Sequence, residues 1–257
     1  MDDIQAQLDS AGLREALKLG RFSLFCQPIV PIAAPKTDHK YLEIFVRFAE
    51  EEDKLLPPGM FFPILEASHL TPMLDRWVVR EVLKWAAGRR DAQASWQIPR
   101  FNINLADDTV RDKDFPGYVL DSLYATRVPP NRLWFELTAQ QMAHLPEAAK
   151  QLIASLDTLG CHIAVSDFSG TEATARSYWN AGVKIVKLAG SMVRDAHKNA
   201  GSYSALVAVI TLCQKFGMQT VAQFVEERET LAILHKAGVD YAQGFGMAVP
   251  LPLRLVV

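Results

Sequence analysis

Residues 132–138 read RLWFELT and residues 162–167 read HIAVSD. Each is a short apolar run with an acid near its end, the pattern of a strand covered on both faces. Between them, Pro146 opens a stretch in which Leu152, Leu156 and Leu159 recur at helical spacing, and Gly160 follows as a stop. Strand, helix, strand is the unit of a parallel sheet.

The unit repeats outward from this point. Further strands are expected at 22–30, 41–48, 100–105, 183–188, 219–225 and 241–248. Thr71 and Pro72 are expected as the N-cap and first turn of a helix whose face holds Leu74, Trp77, Val78 and Trp85. Leu206, Val209, Ile210, Cys213 and Phe216 form another apolar face before Gly217, and Leu231 and Leu234 begin a third before Gly238. Eight alternations in 257 residues predict an α/β fold with a parallel sheet closed into a TIM-type (β/α)8 barrel. Residues 1–11 are expected as a leader, residues 12–257 as the barrel domain, and residues 33–40 as a surface loop. The run Glu50, Glu51, Glu52, Asp53 is expected as a solvated acidic loop.

Composition narrows the function. Hydrophobic residues make up 49% and charged residues 22%, with a formal net charge of -2. No basic block marks a duplex nucleic-acid binder. No apolar run approaches the ~20 residues of a membrane span. Cys26, Cys161 and Cys213 have neither disulfide nor zinc spacing, so a reducing cytoplasm is the expected location. The six histidines show no metal-ligand spacing.

Nearly every expected strand carries a polar residue toward its C-terminal end: Gln27, Glu43, Asn104, Glu136, Asp167, Lys187, Gln223 and Gln243. In a parallel barrel these ends share one face, where active sites are built. Charges within apolar runs are costly unless paired or bound to something. Converging carboxylates, amides and a lysine suit a divalent metal or a phosphate ligand. A buried polar network that merely plugs the barrel mouth is the alternative.

These residues also carry a resemblance. Gln27-Pro28-Ile29-Val30, Glu43-Ile44-Phe45-Val46-Arg47-Phe48, Asn102-Ile103-Asn104-Leu105-Ala106 and Glu136-Leu137-Thr138-Ala139 resemble, in order, the strand motifs of the EAL family of cyclic-di-GMP proteins. Ser166-Asp167-Phe168 stands where that family has D-D-F, and Lys187-Leu188-Ala189 where it has K-I-D. Ala222-Gln223-Phe224-Val225-Glu226 stands for A-E-G-V-E, and Gln243-Gly244-Phe245 for Q-G-Y. The resemblance runs from about Leu13 to Pro252. It implies a modified barrel whose first strand is antiparallel to the rest.

The resemblance further implies two-metal phosphodiester hydrolysis to linear pGpG, with Glu43, Asn104, Glu136, Asp167 and Gln243 among the metal ligands. Lys187, Glu43 and Asp167 fall at its catalytic positions, with Lys187 vestigial here. Gln27, Arg47, Phe224 and Glu226 fall on its nucleotide face. Phe224, in place of glycine, either stacks on a guanine or fills the pocket, and Phe45 raises the same question.

Several replacements mark a degenerate member. Ser166 and Gln223 replace acids, Ala189 replaces the aspartate of K-I-D, and Ala139 replaces the second glutamate of E-x-T-E. The loop Ser169-Gly170-Thr171-Glu172-Ala173 has shifted its glycines. Two adjacent cations need shared anionic ligands, so at most one weakly held Mg²⁺ or Mn²⁺ is expected. The expected function is bacterial second-messenger signalling by cyclic-di-GMP binding with little or no hydrolysis. The alternatives are a slow phosphodiesterase and a nucleotide-independent scaffold for another protein. A homodimer, a protein partner and fusion to further signalling domains are implied by resemblance alone.

Overall fold

A computed structural model of the chain describes residues 9–32, 40–51, 54–93 and 95–256. Residues 1–8 of the expected leader, residues 33–39 of the expected loop and Glu52 and Asp53 of the acidic run lie outside the described residues. Asp9 caps helix α1 (Ser10–Leu19) through its side chain, 2.6 Å from Gly12 N, and Leu13, Ala16 and Leu17 of that helix are buried. Residues 10 and 11 thus belong to α1.

The ring begins with β1 (Phe22–Pro28), which pairs antiparallel with β3 (Tyr41–Glu51) in the register Gln27 to Glu43. The short β2 (Val30–Pro31) follows directly and pairs with the far end of the sheet. β3 pairs antiparallel with the short β4 (Lys54–Leu56), and Glu50 and Glu51 of the expected acidic loop belong to β3. Two helices follow, α2 (Pro58–Ala67) and α3 (Thr71–Ala92).

Then come β5 (Arg100–Asn104), α4 (Asp107–Val110), α5 (Phe115–Thr126), β6 (Leu133–Thr138), α6 (Ala139–His144) and α7 (Pro146–Thr158). They are followed by β7 (His162–Phe168), α8 (Glu172–Asn180), β8 (Ile185–Leu188), α9 (Gly190–Asp195), α10 (Ala200–Lys215), β9 (Gln219–Ala222), α11 (Arg228–Ala237) and β10 (Tyr241–Ala242). Strands β3, β5, β6, β7, β8, β9 and β10 are neighbours in that order, and all pair parallel. The β1–β2 segment touches both ends of this run, which closes the barrel with an antiparallel first strand. β11 (Leu251–Pro252) packs beside β1.

Apolar burial forms two layers. The larger lies between strands and helices and includes Phe48, Phe61, Phe101, Phe115, Phe135 and Phe168. The smaller, Ile29, Tyr41, Trp134, Ala164, Ile185 and Val221, fills the barrel interior toward the N-terminal ends of the parallel strands. It is a floor beneath the polar residues described next.

Some expected boundaries move. Thr71 is not an N-cap: it is the first helical residue, buried at 1% exposure, and Leu70 precedes it without a side-chain cap. β9 and β10 stop earlier than expected, at Ala222 and Ala242. Phe224 takes a left-handed backbone, φ +59°, and Gly244 takes φ +158°. The two segments then pair as loops, through Val225 N to Gln243 O at 3.0 Å and Gly246 N to Val225 O at 3.0 Å. A Cβ on Gly244 would meet Val225 N and O at 2.3 Å, so this close approach requires glycine.

Candidate ligand site at the barrel mouth

Period-2 alternation sends Glu43, Asn102, Asn104 and Glu136 to the barrel interior, above the apolar floor. Lys187 joins them from β8 and has no solvent exposure. Its Nζ lies 2.7 Å from Glu43 Oε2 and 2.5 Å from Glu136 Oε2. One buried ammonium therefore bridges two buried carboxylates.

Amide donors add to this group. Asn104 Nδ2 donates to Glu43 Oε1 at 3.0 Å, and Gln243 Nε2 donates to Glu43 Oε2 at 2.7 Å and Gln27 Oε1 at 3.0 Å. Gln27 Nε2 in turn donates to Ala248 O at 2.8 Å. Asn102 Nδ2 donates to Glu136 Oε2, and Tyr41 OH donates to Asn102 Oδ1 at 3.2 Å.

The titrations follow from this geometry. Burial alone would raise the Glu43 carboxyl, but the Lys187 charge and the donors Asn104, Lys187 and Gln243 hold it below its ordinary value. Burial raises Glu136; Lys187 opposes this and the neighbouring Glu43 charge adds to it. Burial would lower Lys187, but the two carboxylates outweigh it and hold the ammonium charged.

Asp167 stands apart. It is exposed, with φ +57°, at a register break between Val165 and Phe168. No hydrogen bond or ion pair joins it to the Lys187 group among the described residues. Ser166 is buried beside it, in register with Thr138. Among the described residues, no three His, Cys, Asp or Glu side chains are placed to share a metal ion.

A cavity of about 290 Å³ opens beside this network. Gln27, Glu43, Arg47, Phe224, Glu226 and Gln243 line it, together with Phe45, Gln223, Gly244, Phe245 and Pro250. The predicted nucleotide-face residues are thus brought together on one wall system. Phe224 rests against Gly190, where a Cβ would fall 2.7 Å from its ring, and Arg194 lies 5.3 Å from the ring centroid. Its own side chain remains 52% exposed, so it forms a wall and does not fill the cavity. Arg47 lies over the Phe25 ring at 5.7 Å and donates to its neighbour Val46 O at 3.0 Å.

Sequence reasoning passed over Asn102 and Tyr41, although the alternation N-I-N already set Asn102 on the same face as Asn104. It also missed a second cavity of about 480 Å³ on the other side of Phe45, whose lining includes Asn104, Glu136, Glu66, Asp75 and His144. Those groups come from two strands and three separate helices and share no short motif.

Comparison with known proteins places this geometry. The EAL domain family model matches residues 10–250. The chain is 30% identical over 241 residues to the cyclic di-GMP phosphodiesterase PdeF of Escherichia coli (strain K12), covering 94% of this chain and 31% of that protein. It is 26% identical over 241 residues to the cyclic di-GMP phosphodiesterase PdeB of Shewanella oneidensis, covering 94% of this chain and 28% of that one. The chain thus spans about a third of the length of these relatives. Its fold overlays the FimX EAL domain of Pseudomonas aeruginosa bound to c-di-GMP with a TM-score of 0.85 at 25% identity, over 93% of this chain and 95% of that one. No helix among the described residues is long and apolar enough to cross a membrane. With the match running from the first helix past β10, the chain belongs to the EAL domain family.

Proposed function

We propose that this chain is a cyclic-di-GMP-binding signalling module with little or no hydrolysis. The observation that carries the reading is the shortage of acids around the Lys187 ammonium: Glu43 and Glu136 flank it, and Ser166 and Gln223 stand where the family has carboxylates. A pair of divalent ions does not fit these residues. Glu43 has both carboxylate oxygens engaged by Asn104, Lys187 and Gln243, and Glu136 Oε2 accepts from Lys187 and Asn102. Two carboxylates and one ammonium leave a single net negative charge, and Ser166 and Gln223 add none. Neighbouring divalent ions repel strongly without shared anions. At most one Mg²⁺ or Mn²⁺ is therefore proposed, held weakly by a subset of Glu43, Asn104, Glu136, Asp167 and Gln243.

The binding face is proposed on chemistry the cavity offers. The Arg47 fork suits a phosphate oxygen pair. The Glu226 carboxylate suits the N–H edge of a guanine. Phe224 offers an exposed ring at the cavity wall for a base to stack on, and Gln27 offers an amide. The FimX domain of similar fold binds the same nucleotide, which supports the reading.

Calorimetry with cyclic-di-GMP, in chelator and then in Mg²⁺ or Mn²⁺, tests it. Saturable binding in chelator with no pGpG formed is the expected result. Absence of binding at roughly tens of micromolar would remove the proposal.

Slow hydrolysis is the second reading. It is favoured by relatives described as phosphodiesterases and by the retained Glu43, Asn104, Glu136, Asp167 and Lys187. Accumulation of pGpG beyond one turnover would select it. A homodimer or a protein partner would carry the signal onward, and sedimentation velocity tests the former.

A further inference from the structure

We propose that the end of the barrel opposite Lys187 is a second binding site, which takes a phosphate group between Arg100 and Arg132. The two arginines sit at the starts of neighbouring strands, at the ends remote from the proposed cyclic-di-GMP face. Arg100 opens β5, and Arg132 directly precedes β6. His162 opens β7 beside them, in register with Trp134. The His162 ring lies 4.5 Å from the Trp134 ring, and Arg100 Cζ lies 5.9 Å from the same indole.

Four buried side-chain polar atoms lack a hydrogen-bond partner among the described residues: Arg132 Nε, Trp134 Nε1, His162 Nδ1 and Gln243 Oε1. Three of the four gather here, and all three are nitrogens. Trp134 is only 6% exposed, and its indole N–H has no protein acceptor among the described residues. Folded proteins pair nearly all buried N–H groups. Leaving one unmet is costly. The cluster is a shared demand for an acceptor. The indole and Arg132 can only donate, and His162 donates in one tautomer or when charged.

The charge has the matching sign. Among the described residues, Arg100 and Arg132 form no ion pair with a carboxylate. Burial lowers the Arg132 pKa, and the neighbouring Arg100 charge adds to it. Burial, then Lys184 and Arg100, hold His162 below its ordinary value, against a smaller opposing effect of Asp157. Two mutually repelling guanidinium groups are best met by a dianion. A phosphate monoester approaches two negative charges near neutral pH and offers several acceptor oxygens to planar forks. A carboxylate offers one charge and two oxygens. The floor formed by Tyr41, Ile185 and Val221 separates this mouth from the other, so the proposal does not depend on cyclic-di-GMP binding.

Inorganic phosphate is the probe, titrated into the full chain at constant ionic strength and followed by calorimetry and tryptophan fluorescence. Acetate is the comparison anion. Saturable phosphate binding is expected, weakened about ten-fold or more in Arg132→Gln and in Arg100→Gln. Arg80→Gln, an exposed arginine paired with Glu81 on α3, is expected to leave it unchanged. Trp134→Phe keeps the ring and removes the N–H; it is expected to weaken phosphate several-fold and serves if an arginine variant fails to fold. Undiminished binding in both arginine variants overturns the proposal, as does equal affinity for acetate. So does loss of phosphate binding in Arg47→Ala, which would place the anion at the other mouth, or no saturation by about 10 mM phosphate.

Discussion

Lys187 is held by two opposing demands. Its burial is costly, and the two carboxylates beside it are costly without it. Replacing one partner of a buried charge group by an apolar residue costs about 3–5 kcal/mol, because the remaining charges lose their compensation. Lys187→Met is expected to lose that much stability near neutral pH, read from the urea midpoint. With no ammonium between them, Glu43 and Glu136 repel and both carboxyl pKa values rise above those of the unfolded chain. The variant is then most stable below the unfolded values and weakens as pH rises through the folded ones. A variant equally stable at acid and alkaline pH would contradict the arrangement. Phe224 departs from ordinary backbone geometry. A bulky side chain at φ +59° is strained, and strain at an exposed position beside a cavity points to a use. Phe224→Gly is expected to leave the melting temperature unchanged or raised. It should weaken cyclic-di-GMP by about 1–3 kcal/mol, the range of a stacked base. Tighter binding would mean that the ring obstructs the pocket.

Asp75 ties two elements together. It sits on α3, and its Oδ2 accepts from Ala106 N at 3.0 Å and Thr109 Oγ at 2.6 Å, which anchors the start of α4. Burial pushes its carboxyl up to about 6 despite those donors. The folded value lies above the unfolded one, so its stabilising contribution is present below about pH 4 and is lost as pH rises through about 6. Asp75→Asn keeps an acceptor oxygen without the charge. It is expected to flatten the stability profile between those limits and to add about 1–3 kcal/mol at neutral pH, measured by urea unfolding across pH. The same elements show how far a sequence can be read. Apolar runs and helical faces announced the ring, because both faces of each parallel strand must be covered. Helix ends such as Ala237 before Gly238 were equally plain. The cap at Thr71 misled, because a hydroxyl that suits a cap is here buried in the first turn. The early ends of β9 and β10 were hidden, because they depend on Val225 meeting Gln243 across two loops. Asp167 was placed with the acids by its motif, but the bulge that turns it outward has no local sign. Asp75 went unread because its partners are tertiary.

Across the whole molecule, the ring separates two mouths with an apolar floor between them, and ligand linkage can ask which cation the upper one accepts. Anything that binds only the folded state raises stability by RT ln(1 + [L]/Kd), about 2.7 kcal/mol at 100 times Kd. For a domain of this size that is a rise in Tm of roughly 5–10 °C. Cyclic-di-GMP in chelator is expected to give such a rise. Mg²⁺ or Mn²⁺ alone is expected to give almost none, because an ion must first displace the Lys187 ammonium from Glu43 and Glu136. Adding the metal after the nucleotide should therefore leave the shift unchanged, since the proposed contacts of Arg47, Glu226 and Phe224 need no ion. Differential scanning calorimetry measures all three conditions on one protein. If metal alone raised Tm as far as the nucleotide does, Lys187 would have to yield readily, and slow phosphodiester hydrolysis would become the favoured function.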